Sequence, residues 1–116
     1  MGNDKVLQTS ADELATVIER VSVVSEKSRG IKFTLEPNLL KVFTTNTDEG
    51  SAEDEIEVSY AGEQLDIGFN YRYLLDILAQ IKGGEVRISF KDGGSPIVVQ
   101  DTANENTLFV LMPMRV

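Results

Sequence analysis

Apolar residues recur along this chain with two periods, and each change of period marks a new element. Val6 and Leu7 fall in a short strand over Asp4–Thr9. Ser10 then stands before Ala11-Asp12-Glu13, a capping box with Glu13 three residues after the cap. Leu14, Val17, Ile18, Val21 and Val24 follow at i, i+3, i+4, i+7 and i+10, one continuous helical stripe that Gly30 closes after Arg29. The period then falls to two. Ile31, Phe33 and Leu35 alternate with Lys32 and Thr34, Pro37-Asn38 turns, and Leu39–Thr45 returns. Asn46–Ala52 reads as a polar loop. Ile56, Val58 and Tyr60 alternate with Glu55, Glu57 and Ser59 in a strand over Glu55–Tyr60, and Leu65, Ile67 and Phe69 form the next after a turn at Ala61-Gly62-Glu63. Asn70 is a good N-cap for a second helix with the stripe Leu74, Ile77, Leu78 and Ile81, ended by Gly83-Gly84. Val86, Ile88 and Phe90 run into a turn at Asp92-Gly93-Gly94, Ile97–Gln100 returns, Asp101–Asn106 is a loop, and Thr107–Met112 is the last strand.

This order is βαβββ twice, with the halves meeting near Gly62. The repeat lies in the elements and not in residue identity. It predicts a single α+β domain over 1–116, with two helices packed on one face of antiparallel sheet.

Charge sharpens the picture. The 116 residues carry 19 Asp and Glu against 11 Lys and Arg, a net charge of −8. Residues 42–71 hold Asp48, Glu49, Glu53, Asp54, Glu55, Glu57, Glu63 and Asp66 and no base, so that one stretch supplies the whole imbalance. Such a surface does not grip nucleic acid tightly, because phosphate binding needs positive potential. Cysteine and histidine are both absent, which removes thiolate chemistry, most structural zinc sites and the commonest general base. No GxGxxG or P-loop appears. Asn46–Gly50 lacks the spaced carboxylates and distal Glu of a calcium loop. No cofactor and no metal is expected. The polar N-terminus is no signal peptide, and no run approaches the roughly 20 apolar residues of a membrane span, so a cytoplasmic protein is expected.

Three features stand apart. The face of the first helix opposite its stripe carries Thr16, Arg20, Val23 and Lys27, so an acidic chain keeps this face neutral to basic and puts an apolar Val23 on it. The second helix turns Arg72, Asp76, Ala79 and Gln80 outward. The last strand is apolar on both faces, Leu108, Val110 and Met112 on one and Phe109 and Leu111 on the other, and it ends in Pro113-Met114-Arg115-Val116. That suits either a strand buried on both sides or an adaptable groove for a peptide. Glu55 and Glu57, with Asp54 beside them, serve either to guard a sheet edge or to meet a basic partner strand.

The segment Phe109–Val116, FVLMPMRV, resembles the closing segment of the bacterial sliding-clamp family, the beta subunit of DNA polymerase III. Ile67–Leu78, IGFNYRYLLDIL, and Ser25–Ile31 are similar to two further segments of that family, in register along almost the whole chain. The likeness is to the third, C-terminal domain, with Met1-Gly2 as an added start.

The resemblance implies a non-catalytic processivity factor. Two three-domain subunits would close head to tail around duplex DNA, helices inside and sheets outside. DNA polymerase III alpha subunit, the clamp loader and other partners would insert a short Gln/Leu/Phe-type peptide into a hydrophobic cleft. This domain would supply Val110, Met112, Pro113, Met114 and Arg115, with Asn70, Tyr73 and Pro96 at the rim. The other half of the cleft belongs to a preceding domain. Val23 and Val24, with the acidic strand Glu53, Asp54, Glu55 and Glu57, would meet the other subunit of a homodimer. Arg20, Lys27, Arg29, Arg72 and Lys82 are the candidates to face DNA, from the helix-face reasoning above. The alternatives are a free-standing α+β peptide adaptor that never encircles DNA, and a small hydrolase using paired carboxylates, which no recognisable cleft motif supports.

Overall fold

The computed structural model describes residues 5–22, 30–46, 50–81 and 84–114. In chain order these form β1 (Lys5–Ser10), α1 (Ala11–Ser22), β2 (Gly30–Glu36), β3 (Leu39–Asn46), β4 (Gly50–Glu57), β5 (Ser59–Tyr60), β6 (Leu65–Asn70), α2 (Tyr71–Leu78), β7 (Glu85–Phe90), β8 (Ile97–Asp101) and β9 (Asn104–Leu111). The expected antiparallel α+β arrangement of two helices is present, and its strands are divided between two sheets. One runs β5-β1-β7-β8-β9 and the other β4-β3-β2-β6. Helix α1 packs across β3 and β4 of one sheet and β1 and β7 of the other, while α2 packs on α1 and β9. Leu14, Val17, Ile18 and Val21 of the α1 stripe are buried, as are Leu74, Ile77 and Leu78 of α2. Phe33 and Phe69 meet edge to face beneath them, centroids 4.6 Å apart at 85°.

The caps work as their residue types demand. Ser10 Oγ accepts from the Glu13 N–H at 3.2 Å, and Asn70 Oδ1 accepts from the Arg72 N–H at 2.9 Å. The Ala11 N–H donates to the carbonyl of Gly84 at 2.9 Å, so the start of α1 is tied to the entry of β7. Gly84 has φ +88°, a left-handed conformation that only glycine adopts freely.

Several boundaries differ from the sequence expectation. The strand expected over Glu55–Tyr60 breaks at Val58, and its last two residues join the other sheet, pairing Leu7 with Tyr60 and Gln8 with Ser59. The cause is the Pro37-Asn38 turn. Asn38 takes φ 60°, and its backbone N–H donates to the Tyr60 carbonyl at 2.8 Å while its carbonyl accepts from the Val58 N–H at 3.3 Å. The turn thus takes up backbone groups that a continuous strand would use. The expected loop at Asn46–Ala52 is narrower, because Thr44, Thr45 and Asn46 pair with Ala52, Ser51 and Gly50. Ladder bonds come from the backbone, so polar side chains do not stop them. The expected loop at Asp101–Asn106 tightens to Thr102-Ala103, with Asp101 Oδ1 accepting from the Ala103 N–H at 2.9 Å, so β9 begins at Asn104. Helix α2 ends at Leu78, three residues before Ile81. Gln80 and Ile81 donate to Ile77 and Leu78 in tighter three-residue turns that still bury Ile81. The Val24 end of the first stripe, Gly83 and the 47–49 segment lie outside the described residues.

The two sheets are joined at both flanks. At one, β4 runs on into β5. At the other, the chain leaves β9 and crosses to β6, where the Met114 N–H donates to the Gly68 carbonyl at 2.8 Å.

A candidate peptide groove and two charged surfaces

That crossing leaves a groove. One wall is the face of α2 with Asn70, Tyr73 and Ile77, spaced so that they stack along one side of the helix. The other is the end of β9 and the tail through Met114. The groove encloses about 620 Å³. Six residues named from the sequence line it: Asn70, Tyr73, Val110, Met112, Pro113 and Met114. Pro96 is exposed ahead of β8 and does not line it, and Arg115 lies outside the described residues. Four lining residues were not anticipated: Asp76, Ile77, Phe109 and Leu111. Asp76 and Ile77 follow Tyr73 by three and four positions, so helical spacing alone could have added them.

The side chains of β9 divide cleanly. Leu111 is buried and Phe109 half-buried, while Leu108, Val110 and Met112 are 53%, 59% and 63% exposed. Tyr73 is 60% exposed. A strand buried on both faces is thereby ruled out for this chain by itself. β9 is also the outer strand of its sheet. An apolar row at an open edge beside a groove is surface in want of a partner.

The second surface is β4, the outer strand of the other sheet. Glu53, Glu55 and Glu57 are exposed along one of its faces. Asp54 and Ile56 point the other way, toward α1, and Asp54 Oδ2 lies 3.2 Å from a guanidinium nitrogen of Arg20. Two residues assigned from the sequence to different surfaces, Arg20 to a DNA face and Asp54 to an interface, therefore touch. An exposed pair of this kind is worth about 0–1 kcal/mol. Between α1 and β4 lies a second hollow of about 320 Å³, floored by Val17 and Ile56 and rimmed by Asp12, Glu13, Thr16, Arg20 and Glu55. Arg72 is exposed in the first turn of α2. Val23, Val24, Lys27, Arg29 and Lys82 lie outside the described residues. Among the described residues no group of three or more acids is placed to hold a metal ion, and no helix is long and apolar enough to cross a membrane.

Comparison with known proteins decides the family. The model of the DNA polymerase III beta subunit, C-terminal domain, matches residues 1–115. The chain belongs to the DNA polymerase III beta C-terminal domain family. Among its relatives are the beta sliding clamp of Caulobacter vibrioides, 42% identical over 115 residues, and that of Pseudomonas aeruginosa, 38% identical over 115 residues. Each match covers 98% of this chain and 31% of the relative, so the chain spans about a third of the length of the curated relatives it matches. The solved sliding clamp of Bartonella birtlesii superposes with a TM-score of 0.97 at 40% identity, over all of this chain and 34% of its own. A second Bartonella birtlesii clamp structure, bound to griselimycin, superposes with a TM-score of 0.95 at 40% identity, over all of this chain and 32% of its own. A DNA polymerase III beta C-terminal domain thus has the fold described above, and the groove, the open β9 edge and the acidic β4 edge are its surface features.

Proposed function

We propose that this chain is the C-terminal third of a sliding-clamp subunit, a DNA polymerase processivity factor without a catalytic site, working in the cytoplasm. Two such subunits close into a ring around duplex DNA. The groove between α2 and β9 holds half of each partner's docking peptide, with Val110, Met112, Pro113, Met114 and Arg115 as its wall and end, and Asn70 and Tyr73 on the rim, while Pro96 stands outside it. The observation that carries this reading is the exposed apolar row of β9 running straight into that groove. A preceding domain would cover Leu108 and complete the cleft, which explains why this chain, taken alone, leaves so much apolar surface open.

The β4 edge serves as the subunit interface with Val23 and Val24. A strand added to β4 would lay alternate side chains over the α1–β4 hollow and beside Glu53, Glu55 and Glu57. Its outward residues should therefore be basic, and its inward residues apolar or basic. The inner surface of the ring meets DNA through Arg20, Lys27, Arg29, Arg72 and Lys82. Few cations suffice there, because a ring is held by topology, and tight phosphate contacts would oppose sliding. The partners that follow from this reading are duplex DNA without sequence preference, DNA polymerase III alpha subunit, the clamp loader and other proteins carrying the short docking motif.

Replacing Met112 and Met114 together with Ala tests the groove. In the full-length subunit that contains this chain, the pair should weaken binding of a Gln/Leu/Phe-type peptide at least tenfold in a fluorescence-anisotropy titration, since each truncation removes about 1–2 kcal/mol of apolar contact. Unchanged affinity would place the peptide elsewhere.

A further inference from the structure

The groove is apolar along most of its length, but its two ends are chemically unlike. At one end is Asn70, whose Oδ1 is occupied by the Arg72 N–H at 2.9 Å, leaving its NH2 group as a donor. At the other is Asp76, the one acid among the described lining residues. Its carboxylate has no ion-pair partner among the described residues, although Arg72 stands four positions earlier on the same helix, a spacing at which such pairs can form. Gln80 Nε2 donates to the Asp76 backbone carbonyl at 3.3 Å and so leaves the side chain out of account. Asp76 is exposed, and it shares the groove lining with apolar Ile77, Phe109 and Met112, near which attraction for a cation is less screened than in open water.

Spacing makes the preference specific. Six helical positions separate Asn70 from Asp76, about 9 Å of helix rise, with the two side chains about 120° apart around the axis. An extended peptide covers that distance in about three residues.

We infer that Asp76 sets the charge preference of the groove, selecting among apolar peptides those with a lysine or arginine about three residues from a side chain that accepts a hydrogen bond from Asn70. The inference rests on the reading of this groove as a peptide cleft. The attraction acts at the groove's end, so a cation adds to the apolar anchor without replacing it. An acid at the same peptide position would be repelled by the same carboxylate.

Two capped peptides provide the test, alike in a Gln followed by Leu and Phe anchors and differing only in lysine or norleucine three residues after the Gln. Norleucine keeps most of the alkyl stem and drops the charge. Each carries a fluorophore and is titrated into the full-length subunit that contains this chain, with anisotropy as the readout. The lysine peptide should bind about two- to fivefold tighter at low ionic strength, and the advantage should vanish near 0.5 M salt. Asp76→Asn should bring the ratio of the lysine to the norleucine affinity to about one. Glu36→Gln removes an equal charge at the far end of β2 and should leave the advantage intact, which separates a local effect from the net charge of the chain. The inference is overturned if lysine gives no advantage, if the advantage survives Asp76→Asn, or if Glu36→Gln removes it equally. If neither peptide binds the full-length subunit, the cleft reading itself fails, and the inference goes with it.

Discussion

Gly93 and Gly94 are adjacent, exposed and outwardly alike, yet the structure gives them opposite responses to one added methyl. A Cβ built on Gly93 would lie 2.8 Å from the backbone carbonyl oxygen of Asp66. That oxygen belongs to β6, which is held in its sheet by β2 and cannot swing aside. A Cβ on Gly94 would meet nothing nearer than Asp92 Oδ1 at 3.8 Å, ordinary contact, and its backbone needs no left-handed conformation. Gly93→Ala should therefore destabilise by about 1–3 kcal/mol, the usual cost of overpacking against atoms that must move. Gly94→Ala should be neutral or stabilise by about 0.4–1 kcal/mol, because alanine restricts the unfolded chain. For a domain of this size about 1 kcal/mol corresponds to roughly 4 °C in Tm, so Gly93→Ala should melt about 4 °C or more below Gly94→Ala. Thermal unfolding followed by far-ultraviolet circular dichroism reads this directly. The effect should reach the groove as well. Gly93 and Gly94 line a hollow of about 430 Å³ with Pro113 and Met114, and Gly68, which anchors the Met114 N–H, is two residues from Asp66 on the same strand. Equal melting temperatures for the two variants would refute the close approach of the turn to β6.

Two further predictions follow from single contacts. The buried Tyr60 hydroxyl donates to the Glu63 carbonyl at 2.6 Å, so Tyr60→Phe should lower stability by about 1 kcal/mol in urea titration with an unchanged m-value; no loss would mean that the bond contributes nothing net. The Asp92 carboxylate accepts from the Gly94 N–H at 2.8 Å and from Ser95, which hold its pKa below the ordinary aspartate value. A carbon-detected NMR titration should find its midpoint depressed in the folded chain. The associated stability is then present above the unfolded-state pKa and lost as pH falls through the folded one; a midpoint at or above the ordinary value would contradict the turn geometry.

The amphipathic spacing made both helices legible, because Leu14 to Val21 and Leu74 to Leu78 can bury a stripe only as helix. The strands were legible too, but not their division between sheets. Glu55 to Tyr60 alternates without interruption, and period-two patterning says which face a residue takes, never which sheet. What breaks that strand is a set of backbone bonds from Asn38, twenty residues earlier in the chain, and no local pattern contains it. The groove was half legible for a similar reason. Met112, Pro113 and Met114 stood out as an apolar terminus, and Tyr73 came through family likeness. Asp76 did not, because on the helix it reads as one more solvated acid, and only the tail crossing to β6 forms the groove whose lining it joins. The pairing of Arg20 with Asp54 was likewise hidden, since each fitted a different surface and only the packing of α1 on β4 joins them.

Encirclement is the central claim, and it is a claim about topology more than affinity. Its most direct measurement is retention of the full-length subunit that contains this chain on closed circular duplex DNA, before and after one cut that linearises the circle. A sliding ring stays on the circle and runs off the linear form at unchanged salt, with retention on the circle only weakly dependent on ionic strength. Equal loss from both forms, or retention that falls steeply with salt, would mean a protein that binds phosphates and does not surround the duplex.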